Sequence, residues 1–328
     1  MTTYRQGQGY RIKLVTSDPD NAKVGQVWYN STELKIKGKL SIPATWASGG
    51  NLGTARSALS GCGTQTAGLG FGGNAPPPTN NPVGLTEEYN GSSWSEQNDL
   101  NTARVGLGGA GTQTAGLAFA GRLAAPPSTF KDETEEYNGT SWSEQNNVGT
   151  ARINCAGCGS QTAGLAFGGE AATGNVGVTE EYDGSSWSEQ NDLGTARAVL
   201  AAAGTQTAAV GFGGYISGAS ALTEEYNGSS WTASNNMGTA RYALAGSGTQ
   251  TAALAFGGSP GGVTTTEQYD GTSWTTTTSM ATGRRQLGSA NASPSTASLA
   301  FGGATPSASN ATEEFTGSSE PVRTFDVS

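Results

Sequence analysis

The sequence has no histidine and only three cysteines, so a Cys/His zinc site lacks the ligands to complete it. Basic residues are scarce as well. Seventeen Lys and Arg stand against 26 Asp and Glu, a net charge of −9, and phosphate backbones are held by clustered Lys and Arg. A nucleic-acid partner is therefore not expected. No apolar run reaches the length of a membrane span, and residues 1–14 contain no apolar stretch of the kind that opens a secretion signal. The expectation is synthesis in the cytosol without such a signal. The N-x-S/T triplets, such as Asn90-Gly91-Ser92, then count as turn chemistry rather than glycan sites.

What is abundant is glycine, 51 residues of it, alongside Ala, Ser and Thr. That composition alone would suit a disordered chain. A fixed register of large residues argues otherwise. Tyr recurs at positions 89, 137, 182, 226 and 269, and a Trp follows five residues later at Trp94, Trp142, Trp187, Trp231 and Trp274. An Arg follows ten residues after that, at Arg104, Arg152, Arg197, Arg241 and Arg284. Two partial copies lie at the ends. Trp46 and Arg56 keep the ten-residue spacing without a preceding Tyr, and Thr312-Glu313-Glu314-Phe315 supplies the missing half without a following Trp.

The Arg-to-Arg period is 48, 48, 45, 44 and 43 residues, the length of a four-stranded propeller blade. The spacing predicts an all-β, six-bladed β-propeller over residues 46–318. Its ring is closed by an N-terminal strand around Trp46 that joins the C-terminal blade, which leaves no open edge between blades. Residues 1–45 read as a small β appendage with a hairpin from Gln26-Val27-Trp28-Tyr29 to Leu34-Lys35-Ile36-Lys37, and residues 319–328 as an extended tail. Two roles remain open for the appendage: packing on the propeller's own rim, and anchoring to another protein. Its charge differs from the rest, since residues 1–40 hold seven Lys and Arg against three Asp and Glu, while the remainder holds ten against 23.

Within each repeat the first strand is expected after the Arg, with Leu59, Leu107, Leu200, Leu244 and Leu287 three positions on. A Gly-Thr-Gln-Thr turn leads into an Ala-Leu-Ala-Phe-Gly-Gly strand, as at residues 253–258. The third strand is Thr-Glu-Glu-Tyr, and an Asn-Gly or Asp-Gly turn joins it to the Trp-bearing fourth. The Glu two before each Tyr suits an inter-blade, bidentate ion pair with the recurring Arg. Arg56, Arg104, Arg152, Arg197, Arg241 and Arg284 thus join Trp46, Trp94, Trp142, Trp187, Trp231 and Trp274 as expected scaffold residues.

A double glycine ends the second strand at Gly72-Gly73, Gly168-Gly169, Gly213-Gly214, Gly257-Gly258 and Gly302-Gly303, and is followed by Tyr, Trp and a Met-x-x-x-Arg ending. This pattern resembles the kelch repeat over residues 46–315, departing from it at Ala120-Gly121. The combination T-E-E-Y-N-G-S-S-W with G-T-Q-T-A-G-L-A-F-G-G resembles kelch-like virion proteins of tailed phages that infect marine bacteria and cyanobacteria. Gly25-Gln26-Val27-Trp28-Tyr29-Asn30 matches a pattern of their N-terminal segments. The resemblance implies a noncatalytic structural component of the virion, of tail-fibre, appendage or capsid-decoration type, assembled in the host cytoplasm. It would join other virion proteins through its N-terminal segment and present a propeller face to a host-surface glycan or protein. The alternatives are a lectin-like adhesin outside a virion and a sialidase-like glycan hydrolase.

Enzymatic chemistry finds little support in the residues. Cys155-Ala156-Gly157-Cys158 suggests metal or redox work, but Cys155 falls on the Leu position of the repeat and Cys158 on a position filled by Cys62, Ala110, Ala203, Ser247 and Ala290. Packing explains both. Copper chemistry of the galactose-oxidase type needs histidine ligands. Sialidases gather an Arg triad from non-equivalent positions, whereas the Arg residues here recur at one position in every repeat. No cofactor or metal is implied.

Recognition is expected where the repeats differ in length. The distance from the second-strand Phe to the third-strand Tyr or Phe315 runs 18, 18, 15, 14, 13 and 14 residues, while the Tyr-to-Trp and Trp-to-Arg spacings are constant. These connections share one face of a propeller, and variable loops on a rigid scaffold commonly bind. The two longest, residues 74–85 and 122–132, are proline-rich, which lowers the ordering cost of binding. Candidate binding residues are Asn80, Asn81, Arg122, Phe130 and Lys131, with Tyr215 and Ile216 in the fourth loop.

Overall fold

The computed structural model describes residues 12–76, 81–123 and 129–325. Every regular element among them is a β-strand. The chain divides into two compact units, Thr45–Thr316 and a smaller one formed by Met1–Ala44 with Gly317–Ser328.

The larger unit contains six four-stranded antiparallel sheets, one for each sequence repeat. The second repeat shows the pattern, with strands Gly108–Thr112, Ala115–Phe119, Thr134–Tyr137 and Trp142–Gln145 paired in sequence order. Its second strand is sandwiched on both faces, so Leu117 and Phe119 are wholly buried. The fourth strand lies at the outer edge, where Ser143 and Glu144 reach solvent. In the sixth sheet, Gly288–Ser289, Ala297–Phe301 and Thr312–Thr316 are completed by Thr45–Ser48, which puts Trp46 directly opposite Phe315.

The sheets are linked by bonds that recur at each boundary. Trp142 Nε1 donates to Thr86 Oγ1 of the preceding sheet at 2.9 Å, and Trp94 Nε1 makes the same bond from the first sheet to Thr312 of the sixth. Phenylalanines stack in the same direction, with Phe71 against Trp142 at 5.0 Å and Phe301 against Trp94 at 4.8 Å between ring centroids. The buried clusters therefore straddle sheet boundaries. One gathers Cys62, Leu69 and Phe71 from the first sheet with Ala118, Tyr137 and Trp142 from the second. Small inner strands make the approach possible, because a Cβ on Gly157 would lie 2.5 Å from the Phe119 ring.

A ring of backbone hydrogen bonds runs through all six repeats. The amide of Gly106 donates to Ala58 O, Asn154 to Gly106, Val199 to Asn154, Ala243 to Val199, Gln286 to Ala243, and Ala58 to Gln286, each at 2.7–2.9 Å. The series returns to its starting residue. All six donors lie in the left-handed region, with φ between 50 and 64°, although five of them carry side chains that disfavour it. This turn also moves the first strand from its expected start. Leu59, Leu107, Leu200, Leu244 and Leu287 each lie one residue before it, buried against the neighbouring glycine pair.

The smaller unit is a sheet of Lys13–Val15, Val27–Asn30, Lys35–Lys39 and Val322–Phe325, in that order, with the first pair parallel. The expected hairpin is its centre, and Asn30 Oδ1 accepts the amides of Thr32 and Glu33 in the turn. Val322–Phe325, within the extended C-terminal residues, is the strand beside Lys35–Lys39. One face is closed by Asp18, which accepts from Trp28 Nε1, Asn30 Nδ2 and Lys37 Nζ. These bonds hold its carboxyl down to about 2, the Lys37 bond first among them. On the other face Leu14, Tyr29, Ile36 and Phe325 align across all four strands, and Leu14 is 67% exposed.

Candidate functional site

The recurring Arg residues are fully buried, and each meets the carboxylate expected of it: Arg56 with Glu87, Arg104 with Glu135, Arg152 with Glu180, Arg197 with Glu224, Arg241 with Glu267 and Arg284 with Glu313. Two details differ from the expectation. The pair forms within one repeat rather than between repeats, and it is not a two-pronged fork. Arg104 Nη2 donates to Glu135 Oε1 while Nη1 donates to the carbonyls of Ala120 and Glu133. The other carboxylate oxygen takes the amide of Asn101, in the segment that crosses from the previous sheet. Each Glu thus fastens a crossing segment to the sheet that follows it. Burial pushes the Arg56, Arg104, Arg241 and Arg284 guanidinium groups down, against the opposing pull of their Glu partners. Side chains held this way are not free to meet a ligand.

Diversity appears one residue beyond the fixed ones. A short ladder joins the residue after each recurring Arg to the residue after each glycine pair: Ser57 with Asn74, Val105 with Arg122, Ile153 with Glu170, Ala198 with Tyr215, Tyr242 with Ser259, and Arg285 with Ala304. Both positions hold six different residue types, although the Arg beside one never varies. The glycine pair beside the other varies once, to Ala120-Gly121. Comparing the repeats at these two positions would have revealed them in the sequence.

Two of the expected binding residues meet at this ladder. Asn81 and Arg122 line a cavity of about 290 Å³ together with Asn74, from the same long connection as Asn81, and with Ser57 and Gln286, which lie outside the long connections. Phe130 bridges the backbone of Arg122. Lys131 is drawn into an ion pair with Glu133 at 2.6 Å. Tyr215 and Ile216 lie elsewhere, 39% and 41% exposed in the fourth loop, where Tyr215 packs edge-on against Tyr242 at 5.3 Å. Asn175 Nδ2 donates to both of their carbonyls. Asn80 lies outside the described residues.

A second cavity of about 120 Å³ is lined by the inner ends of all six sheets. Asn291 spans it, donating to the carbonyls of Gly109 and Gly157. Among the described residues, Cys155 is the one titratable side chain in that lining, and burial raises its thiol, as it raises Cys158 to about 12. Neutral thiols of this kind are poor nucleophiles and poor metal ligands. Among the described residues, no three His, Cys, Asp or Glu side chains gather where a metal could sit.

No protein-family model and no curated protein matches the chain.

Proposed function

We propose that the six sheets are the blades of one closed, six-bladed kelch-like propeller. We further propose that the protein is a noncatalytic structural component of a phage virion, binding a host-surface glycan or protein through its irregular end. The ring of backbone bonds that returns to Ala58 supports closure. The observation that carries the binding role is the contrast at the ladder: invariant buried Arg residues beside two positions that differ in every repeat. The virion assignment rests on the kelch-like sequence resemblance.

Anchoring falls to the smaller unit. It holds eight Lys and Arg against five Asp and Glu, a net of +3, whereas the larger unit holds nine against 21, a net of −12. Its aligned Leu14, Tyr29, Ile36 and Phe325 form an apolar strip, suited to an apolar patch on another virion protein, and its net positive charge favours an acidic partner. A lectin-like adhesin outside a virion is the second reading, favoured by the polar cavity at Arg122.

Replacing residues 74–85 and 122–132 with the short fifth-repeat connection, residues 259–265, tests the binding role. The replaced protein should fold with unchanged strand content and lose attachment to host cells. Retained attachment removes the irregular end from recognition.

A further inference from the structure

We infer that the cavity at Arg122 is a binding site for a carboxylated monosaccharide unit, such as a uronic acid within an acidic surface glycan. The inference rests on the binding role proposed for the irregular end and names its ligand class.

Charge gives the first argument. Nine Arg and Lys lie in the larger unit; six of them are the recurring Arg, each held against a buried carboxylate, and Lys131 is paired with Glu133. Among the described residues Arg122 and Arg285 make no ion pair, only Arg122 of the two lines the cavity, and no Asp or Glu contributes to its wall. The Arg122 Nε is buried without a hydrogen-bond partner. The same atom is unpartnered in the six scaffold Arg residues, so it is the absent carboxylate that sets Arg122 apart. A guanidinium with a free fork in a concave, partly desolvated site binds a carboxylate in two-pronged fashion, better than a point charge would.

The other wall residues supply the second argument. Ser57, Asn74, Asn81 and Gln286 offer a hydroxyl and three amides, which both donate and accept and so match the vicinal hydroxyls of a sugar ring. The apolar part of the wall is small among the described residues, Ala58, Pro82 and Val105, and the volume of about 290 Å³ is at the lower limit for small-molecule sites. One sugar ring fits that description; an aromatic or lipid group does not. The ligand's carboxylate would sit on Arg122 and its hydroxyls on the amides.

Calorimetric titration of the full chain with sodium D-glucuronate, D-glucose and sodium sulfate tests the assignment. Glucuronate should bind, with glucose weaker by about ten-fold or more. Arg122→Gln should lower glucuronate affinity by about ten-fold or more while Arg285→Gln leaves it unchanged. Thermal unfolding of Arg122→Gln should match the parent, separating a lost ligand contact from a lost fold. Sulfate binding as tightly as glucuronate would make this an inorganic-anion site and overturn the sugar assignment. Glucuronate binding that is absent, or indifferent to Arg122→Gln, would overturn the whole inference. If glucuronate fails to bind while the loop-replaced protein still loses host attachment, the ligand class falls and the binding face stands.

Discussion

Trp46 donates its indole N–H to Thr266 Oγ1 at 3.1 Å, across 220 positions of sequence. The same ring packs on Phe256 and on Phe315. Trp94 makes the equivalent contacts with Thr312 and Phe301 at another boundary, although it belongs to an uninterrupted repeat. If the six repeats form one ring, the two tryptophans do equal work. Trp46→Ala and Trp94→Ala should each cost about 2–4 kcal/mol in urea unfolding, with a single transition in both cases. A Trp46→Ala protein of parental stability would show that the N-terminal strand does not clasp the ring.

Arg197 is fully buried against Glu224. Arg197→Ala strands that carboxylate in a low-dielectric site and should cost about 3–5 kcal/mol. Removing both partners in Arg197→Ala/Glu224→Ala should recover part of the loss, since no unpaired charge then remains. A single mutant with parental stability and lost binding would move Arg197 from scaffold to site.

The third-strand tyrosines give a pH prediction at the alkaline end. Tyr89 donates to Glu314 and Tyr269 to Glu225; burial, then the neighbouring carboxylate, raises both phenols from 10 to about 12. Tyr137, Tyr182 and Tyr226 are raised further by the same causes. A folded-state value above the unfolded one contributes stability that is complete below pH 10 and is lost as pH rises through about 12. Unfolding midpoints should therefore fall between pH 10 and 12, and near-ultraviolet titration should show phenolate appearing together with unfolding. Phenolate formation near pH 10 in a folded protein would contradict the inter-sheet Tyr–Glu bonds.

Ala120 stands where the other repeats place the first glycine of the pair, and it adopts φ of 60°. At the matching Gly72, an added Cβ would lie 2.9 Å from both Arg104 O and Leu107 Cδ2. Beside Ala120 the Leu107 position is taken by the smaller Cys155, so Ala120→Gly should relieve the left-handed backbone alone and stabilise the protein by about 1 kcal/mol, read as a raised unfolding midpoint. A lowered midpoint would show that the neighbours have adapted to the methyl group.

Much of the scaffold is legible in the repeat itself. The constant spacings placed Trp46 in a sheet with Phe315 and each Arg beside a third-strand Glu, because one large residue per strand fixes register. The ring of left-handed turns was not legible, since Ala58, Gly106, Asn154, Val199, Ala243 and Gln286 share no residue type and only backbone atoms make the bonds. The division of labour in the Arg–Glu pair was hidden for the same reason: most of its bonds go to main-chain groups. Loop length directed attention to the connections that hold Asn74, Asn81 and Arg122, but not to Ser57 and Gln286, which reach the cavity from the start of the first and sixth repeats. The apolar strip of the smaller unit needed a strand from the far end of the chain, Val322–Phe325, to be complete.

The proposal that this is a particle component is tested most directly by peptide mass spectrometry of purified phage particles whose genome encodes the chain. The account predicts its peptides in the particle fraction, in constant ratio to other structural proteins through repeated gradient purification. Peptides confined to the host lysate, and depleted from particles at each step, would contradict it.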